Sequence, residues 1–193
     1  MKNKKSWLDL YKDTENLPPS KGLVGAMRFA PKTGNALDLG AGAGKDSRYL
    51  LENGYRVTAV DSDPASKKFL QKLPDQNKLT IVTATLQDFD FEKYNLITSW
   101  FTLSFLPEED LIDVFSKIKE SLNPGGIFTG NVFGVDDEWS NSRSEMSFLT
   151  MQQTKELLDG LDVLILKESK HDGFLANGKP KHWHVFIIVA RKK

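Results

Sequence analysis

The sequence contains no cysteine. Disulfide bonds, thiolate metal ligands and a cysteine nucleophile are therefore all excluded. An excess of charge is also missing, because 26 Lys and Arg balance 26 Asp and Glu and give a formal net charge of zero. Proteins that bind a phosphate backbone usually carry a basic excess, so we expect a small-molecule substrate and no nucleic-acid partner.

Long apolar runs are absent as well. No run reaches the ~18 residues that a membrane-spanning helix needs, so we expect no membrane partner. The basic N-terminus leads into residues 7–11 without the apolar stretch of a signal peptide, which predicts a cytoplasmic protein. A chain of 193 residues with 39% hydrophobic residues suits one domain over 1–193, in which residues 1–30 form an N-terminal helical cap. These features leave the oligomeric state open.

Hydrophobic periodicity predicts alternating strands and helices from residue 35 onwards. Alternation of this kind implies parallel βαβ units, and hence an α/β fold with about seven strands in a mixed sheet. No helix separates the last two strands, which should therefore pair as an antiparallel hairpin with a long connection. We predict strands at 35–39, 56–60, 79–83, 94–99, 127–133, 162–167 and 182–190, and helices at 4–12, 21–30, 45–52, 64–73, 107–122 and 150–158.

A glycine-rich loop follows the first predicted strand, with glycines at 40, 42 and 44. A phosphate-binding P-loop is excluded, because Gly40 to Gly44 is one residue too short and Asp46 replaces the required Ser or Thr. The dinucleotide fingerprint also fails, because Lys45 or Ser47 stands where its third glycine belongs. Because the loop connects a strand to a helix, it should still lie at the edge of the sheet where doubly wound proteins bind nucleotides.

Asp38 precedes this loop by two residues. A carboxylate there disfavours a pyrophosphate but favours a ligand that carries an ammonium and a sulfonium, as S-adenosylmethionine does. The structural alternative is a glycine turn that only packs a helix on a strand. Asp61, at the end of the second predicted strand, could accept hydrogen bonds from ribose hydroxyls.

A further segment after the third strand, Gln87-Asp88-Phe89, could hold an adenine. Asp88 could accept a hydrogen bond from the adenine amino group, and Phe89 could pack on the ring. An exposed acid and a core phenylalanine explain these two residues equally well.

Together these motifs resemble the class I S-adenosylmethionine-dependent methyltransferases, over nearly all of residues 35–192. Residues 44–47, the Trp100-Phe101 pair and the segment 181–186 are similar to the small bacterial group of tellurite-resistance methyltransferases. The resemblance implies a Rossmann-like sheet with strand order 3-2-1-4-5-7-6, the seventh strand antiparallel, and helices on both faces. It also implies S-adenosylmethionine as cofactor, held by Asp38, Gly40, Ala41, Gly42, Gly44, Asp61, Ser62, Gln87, Asp88, Phe89, Ser99 and Trp100.

Methyl transfer from a sulfonium is an in-line displacement that needs mainly alignment and a dry pocket, so no catalytic residue has to stand out. The resemblance excludes C5-cytosine methylation and paired-thiolate chemistry for lack of cysteine. The motif of nucleic-acid amino methyltransferases is also missing after residue 99. The acceptor is then a small molecule such as a chalcogen oxyanion, a thiol or an amine.

The acceptor pocket should be built by the N-terminal helices, the 134–147 loop and the start of the last strand. His182 and His184 share one face of that strand. His182 is the candidate base or substrate contact, although a hydrogen-bonded structural histidine is the simpler interpretation of both. Two histidines without a third ligand predict no metal site. Two other functions are a non-catalytic S-adenosylmethionine-binding module and, against the loop pattern, a nicotinamide-dependent oxidoreductase.

Overall fold

The structure, a computed structural model, describes residues 7–175 and 178–193. Its first two helices, α1 (Trp7–Thr14) and α2 (Lys21–Ala26), precede the sheet. Residues 4–6 of the predicted first helix lie outside the described residues, and α2 ends four residues earlier than predicted. The remaining helices are α3 (Lys45–Glu52), α4 (Lys67–Leu70), α5 (Glu108–Ser121) and α6 (Met151–Leu157).

Over the described residues, the strands form one seven-stranded sheet in the order β3-β2-β1-β4-β5-β7-β6, which confirms the prediction. Only β7 pairs antiparallel, with β5 on one side and β6 on the other. The strands are β1 (Asn35–Leu39), β2 (Arg56–Asp61), β3 (Leu79–Thr83), β4 (Tyr94–Ser99), β5 (Leu122–Phe133), β6 (Leu161–Phe174) and β7 (Pro180–Lys192).

Two apolar cores cover the two faces of the sheet, as predicted. On one face α5 packs through Leu111, Phe115 and Ile118 against strand residues such as Phe128. On the other face, α2, α3 and α4 bury residues that include Leu23, Leu50 and Leu70. Local sequence signals mark the N-termini of two helices. Three acids occupy the first turn of α5, and Thr150 and Gln153 form a capping box at the start of α6.

The prediction of a long connection between the last two strands is wrong, because only residues 175–179 separate β6 from β7. The outer part of β6 is polar and largely exposed, so its sequence carries no apolar alternation to mark it as strand. Cross-strand pairs hold it instead, among them His182–Asp172 (2.7 Å) and His184–Glu168 (2.9 Å).

Two other boundaries differ from the prediction. The helix predicted for 64–73 consists of a 3₁₀ turn, Pro64–Ser66, followed by the single turn of α4. The turn predicted at 123–126 is absorbed into β5, where the register against β4 shifts between Tyr94 and Leu96. In the described part of the chain, no helix is both long and apolar enough to span a bilayer.

Candidate cofactor and acceptor cavity

The glycine loop leaves β1 at Gly40 and enters α3 after Gly44. Gly40, Gly42 and Gly44 all have positive φ, at 74°, 54° and 84°, a region that costs other L-residues about 1–2 kcal/mol. The amides of Gly40 and Ala41 donate to the Val60 carbonyl at 2.8 and 3.0 Å, which ties the loop to the end of β2. The loop therefore requires glycine for its backbone path and lies at the carboxyl edge of the sheet.

Close packing adds a second reason for glycine at these positions. A Cβ on Gly40 would lie 2.1 Å from Thr102 Oγ1, and one on Gly44 would lie 2.8 Å from the Leu70 side chain. The loop is thus wedged between the end of β4 and α4, so its shape is set by neighbours that are distant in sequence.

Asp61 lies beside the loop with only 7% of its surface exposed. Its Oδ2 accepts the amide of Gly42 at 2.8 Å, and its Oδ1 accepts the amide of Asp63 at 2.9 Å and the Tyr11 hydroxyl at 3.1 Å. Burial and the nearby Asp61 carboxylate raise the pKa of Tyr11 above its ordinary value, so this hydroxyl stays protonated as a donor. Tyr11 connects α1 to the loop, which places the N-terminal helix over the cavity.

The cavity next to Asp61 has a volume of about 720 Å³, within the range usual for small-molecule sites. One half is lined by the glycine loop, the end of β2 and residues 84–87. The other half is aromatic and is built by α1, the segment after β4, and residues 133, 139 and 183. Of the residues predicted to bind the cofactor, those that line it are Gly40, Ala41, Gly42, Asp61, Ser62, Gln87 and Trp100.

Asp38, predicted beside the ligand's positive charge, lies instead beneath the loop and does not line the cavity. Its Oδ2 accepts the Ser47 hydroxyl at 2.6 Å, so the carboxyl fixes the first turn of α3. Burial, together with the negative charge of Asp46, raises the pKa of Asp38 to about 7. Asp46 is also buried and accepts the amide and hydroxyl of Ser20, at 2.6 and 2.7 Å.

Four more predicted residues are absent from the cavity wall. Gly44 faces α4, and Ser99 is fully buried with its hydroxyl 3.4 Å from the Leu39 carbonyl. Phe89 packs in the core against Phe91, and Asp88 is exposed and accepts the Thr85 hydroxyl at 2.6 Å. Asp88 is therefore an exposed acid and Phe89 a core phenylalanine, which was the structural explanation offered for these two residues.

His182 was expected to open onto the pocket, and the structure places it elsewhere. Its side chain is 44% exposed and its Nδ1 lies 2.7 Å from Asp172 on β6. Strand alternation explains the difference, because His182 and His184 share one face of β7 while Trp183 points to the other and lines the cavity. His184 is buried, with Nδ1 accepting the Asp136 amide at 3.0 Å.

The aromatic half contains functional candidates that sequence reasoning missed or left undecided. Six rings from five segments of the chain form a contiguous set with centroids 5.5–6.2 Å apart, in the range of favourable edge and tilted contacts. We call this set the aromatic box: Trp7, Phe101, Phe105, Phe133, Trp139 and Trp183. The sequence shows 12 Phe and 4 Trp, but no local spacing relates these six.

A buried ion pair supports the aromatic box from behind. The Lys181 ammonium contacts the Asp137 carboxylate, and the two side chains are only 1% and 0% exposed. Asp137 also accepts the amides of Trp139 (3.0 Å) and His184 (3.1 Å). Burial lowers the pKa of Lys181, while Asp137 opposes that shift. The pair joins the 134–147 loop to β7 and so fixes two rings of the box relative to each other.

The strand order, the glycine loop at the carboxyl edge and the adjoining cavity define the fold of the class I methyltransferases. The structure is similar to the crystal structure of TehB from Haemophilus influenzae, with a TM-score of 0.76, 25% identity, and coverage of 96% of this chain and 66% of that chain. The family described as "Tellurite resistance protein TehB" matches residues 3–157. The chain belongs to the TehB family.

Curated relatives carry two kinds of name. A carboxy-S-adenosyl-L-methionine synthase of Vibrio parahaemolyticus is 31% identical over 125 residues, covering 60% of this chain and 51% of that protein. A probable S-adenosyl-L-methionine-dependent methyltransferase TehB of Haemophilus influenzae is 37% identical over 94 residues, covering 47% of this chain and 32% of that protein. The chain thus spans about half the length, or less, of these relatives.

Proposed function

We propose that the chain is an S-adenosylmethionine-dependent methyltransferase that acts on a small-molecule acceptor. The observation that carries the proposal is the buried Asp61 carboxylate at the wall of a cavity of about 720 Å³, beside a glycine loop whose backbone leaves room for a ligand. Membership of the TehB family supports it, as does the name of the Haemophilus relative.

The residues present fit the cofactor. Asp61 Oδ2 accepts one protein hydrogen bond, from Gly42, and so keeps capacity for a ribose hydroxyl. Ala84 and Leu86 provide an apolar wall for a purine, and Gln87 lies beside them. Among the described lining residues the charges are those of Lys45, Asp61 and Asp63, a balance that tolerates a cationic ligand.

S-adenosylmethionine supplies a methyl group that is already activated by its sulfonium. The chain's own residues supply alignment and a dry environment: Asp61 and the loop hold one side, and α1 covers the cavity through Tyr11. The aromatic box forms the opposite side, where the acceptor would lie. The acceptor classes that follow from the sequence are chalcogen oxyanions, thiols and amines.

Calorimetric titration with S-adenosylhomocysteine and with NAD tests the cofactor. We expect binding of S-adenosylhomocysteine and none of NAD, with Asp172→Asn, on the hairpin away from the cavity, as a variant that binds normally. Binding of NAD alone would favour the oxidoreductase. A screen for acceptor-dependent release of S-adenosylhomocysteine from S-adenosylmethionine then separates an enzyme from a non-catalytic binding module, which binds the cofactor but releases no product.

A further inference from the structure

The aromatic half of the cavity contains no charged lining residue among the residues described. The lining charges, Lys45, Asp61 and Asp63, belong to the first turn of α3 and the end of β2, on the glycine-loop side. Lys181 lies behind the box, but its side chain is 1% exposed and is neutralised by Asp137. An inorganic oxyanion in this half would lose its hydration without gaining a free cation, which is costly.

Cations already lie against the rings of the box. The Lys181 ammonium is 4.0 Å from the ring centre of Trp183 and 4.5 Å from that of Trp139, and the Arg143 guanidinium is also 4.5 Å from Trp139. Aromatic faces attract cations, and Asp137 neutralises Lys181, so electrostatics disfavours only an anion in the box. A protonated amine could bind there, but it has no lone pair with which to accept a methyl group.

The same half offers no general base. Its described lining residues are Phe, Trp and Leu side chains together with Tyr11, Thr14 and Thr102, and the Tyr11 hydroxyl has a raised pKa and donates to Asp61. Lys181, behind the rings, is held by Asp137 and the His182 carbonyl. An acceptor bound there must therefore present a lone pair that needs no deprotonation.

We propose that the acceptor is a neutral, planar heteroaromatic compound that is methylated on an unprotonated ring nitrogen. This inference rests on the proposed function and specifies its substrate class. The nitrogen lone pair forms the new N–C bond while the S–C bond of S-adenosylmethionine breaks, and that electron pair remains on sulfur. The positive charge moves from the sulfonium to the product nitrogen, the products are an N-methyl heteroarenium ion and S-adenosylhomocysteine, and no proton is transferred.

Isoquinoline and quinoline are the probes, compared at neutral pH with selenite and with N-methylpiperidine, a saturated amine that is protonated there. We expect saturable calorimetric binding of the two heteroaromatics in the presence of S-adenosylhomocysteine. With S-adenosylmethionine, we expect formation of the N-methyl heteroarenium ion, seen by mass spectrometry, in equal amount to S-adenosylhomocysteine. Selenite should not bind, and neither selenite nor N-methylpiperidine should be methylated.

Two variants of the aromatic box and one matched control locate the site. Trp183→Leu should weaken heteroaromatic binding by about five-fold or more, and the half-exposed Phe101→Leu by about three-fold, the scale of a lost aromatic contact. Phe91→Leu, an aromatic outside the cavity, should bind normally, and all three should keep their affinity for S-adenosylhomocysteine. Because Phe101 is exposed, its variant remains informative if Trp183→Leu fails to fold.

The proposal is overturned if neither heteroaromatic binds, if their binding is the same in both box variants as in the wild type, or if selenite is the methylated acceptor. If the wild-type protein does not bind S-adenosylhomocysteine, the proposed function itself is refuted. The two failures are therefore distinguishable.

Discussion

The two halves of the cavity are built in opposite ways. The glycine-loop half comes mostly from residues close in sequence, with Gly40, Gly42 and Asp61 near the ends of two adjacent strands. The aromatic half comes from five segments between Trp7 and Trp183, joined by ring contacts and by the Lys181–Asp137 pair. The first half depends on a constrained backbone, whereas the second depends on contacts between side chains.

The largest expected effect concerns Asp38, which supports the glycine-loop half from below. Its pKa is raised from 3.8 to about 7, so the folded protein binds more protons than the unfolded chain between these values. Stability contributed by this group therefore falls as the pH rises from about 4 to about 7 and is level above, a loss on the order of 4 kcal/mol. In Asp38→Asn this part of the pH dependence should be missing, as urea unfolding across that range would show.

The exposed acid Asp113 provides the matched control for that experiment. Asp113→Asn should keep the pH slope of the wild type. If Asp38→Asn keeps it as well, the Asp38 carboxyl is not the group that opposes folding at higher pH.

The second prediction compares two glycines of similar φ. Gly40→Ala combines backbone strain of about 1–2 kcal/mol with a contact at 2.1 Å to Thr102, which should add at least about 1 kcal/mol. Gly160→Ala, where nothing lies within 4 Å of the new Cβ, should show the strain alone. Equal losses in urea unfolding would mean that Thr102 moves aside and that the loop is less tightly wedged than its geometry indicates.

The third prediction is that Asp61→Asn weakens binding of S-adenosylhomocysteine by about 1–3 kcal/mol, the scale of hydrogen bonds to a charged group. Asp61 is also buried and accepts hydrogen bonds from Tyr11, Gly42 and Asp63. The melting temperature without ligand should therefore also fall.

Asp63→Asn tests whether that affinity loss is specific to Asp61. Asp63 also lines the cavity, but its carboxylate caps the 3₁₀ turn by accepting the Ala65 amide at 2.9 Å. An equal loss of affinity in both variants would point to a general charge effect rather than to hydrogen bonds at Asp61.

The smallest effect is expected at His182. Because its side chain pairs with Asp172 at the surface, His182→Ala should change stability and both affinities by no more than about 0.5 kcal/mol. Trp183→Leu, one residue away on the opposite strand face, should lose acceptor binding. If His182→Ala lowers turnover and keeps its cofactor affinity, His182 contributes to the acceptor site after all. The division of the cavity into a glycine-loop half and an aromatic half would then be incomplete.

Sequence patterns located most elements of the fold. The predicted bounds of β1, β3, β4 and α3 agree with the structure, since short apolar runs and an apolar helix face leave clear signals in the sequence. The outer half of β6 was missed because its pairing is polar and exposed.

The candidate site likewise combines features that local sequence predicts with features that depend on long-range contacts. The sequence by itself determined the glycine loop, the acid at the end of β2 and the alternation of strands and helices in a mixed sheet, because each depends on local backbone requirements or on periodicity. The strand order followed from the resemblance to the class I methyltransferases. Only the tertiary structure decided that Asp38 lies beneath the loop, that Trp183 rather than His182 lines the cavity, and that six distant rings meet there. Those outcomes depend on strand facing, crossover packing and a buried ion pair, which are set by contacts between segments far apart in the chain.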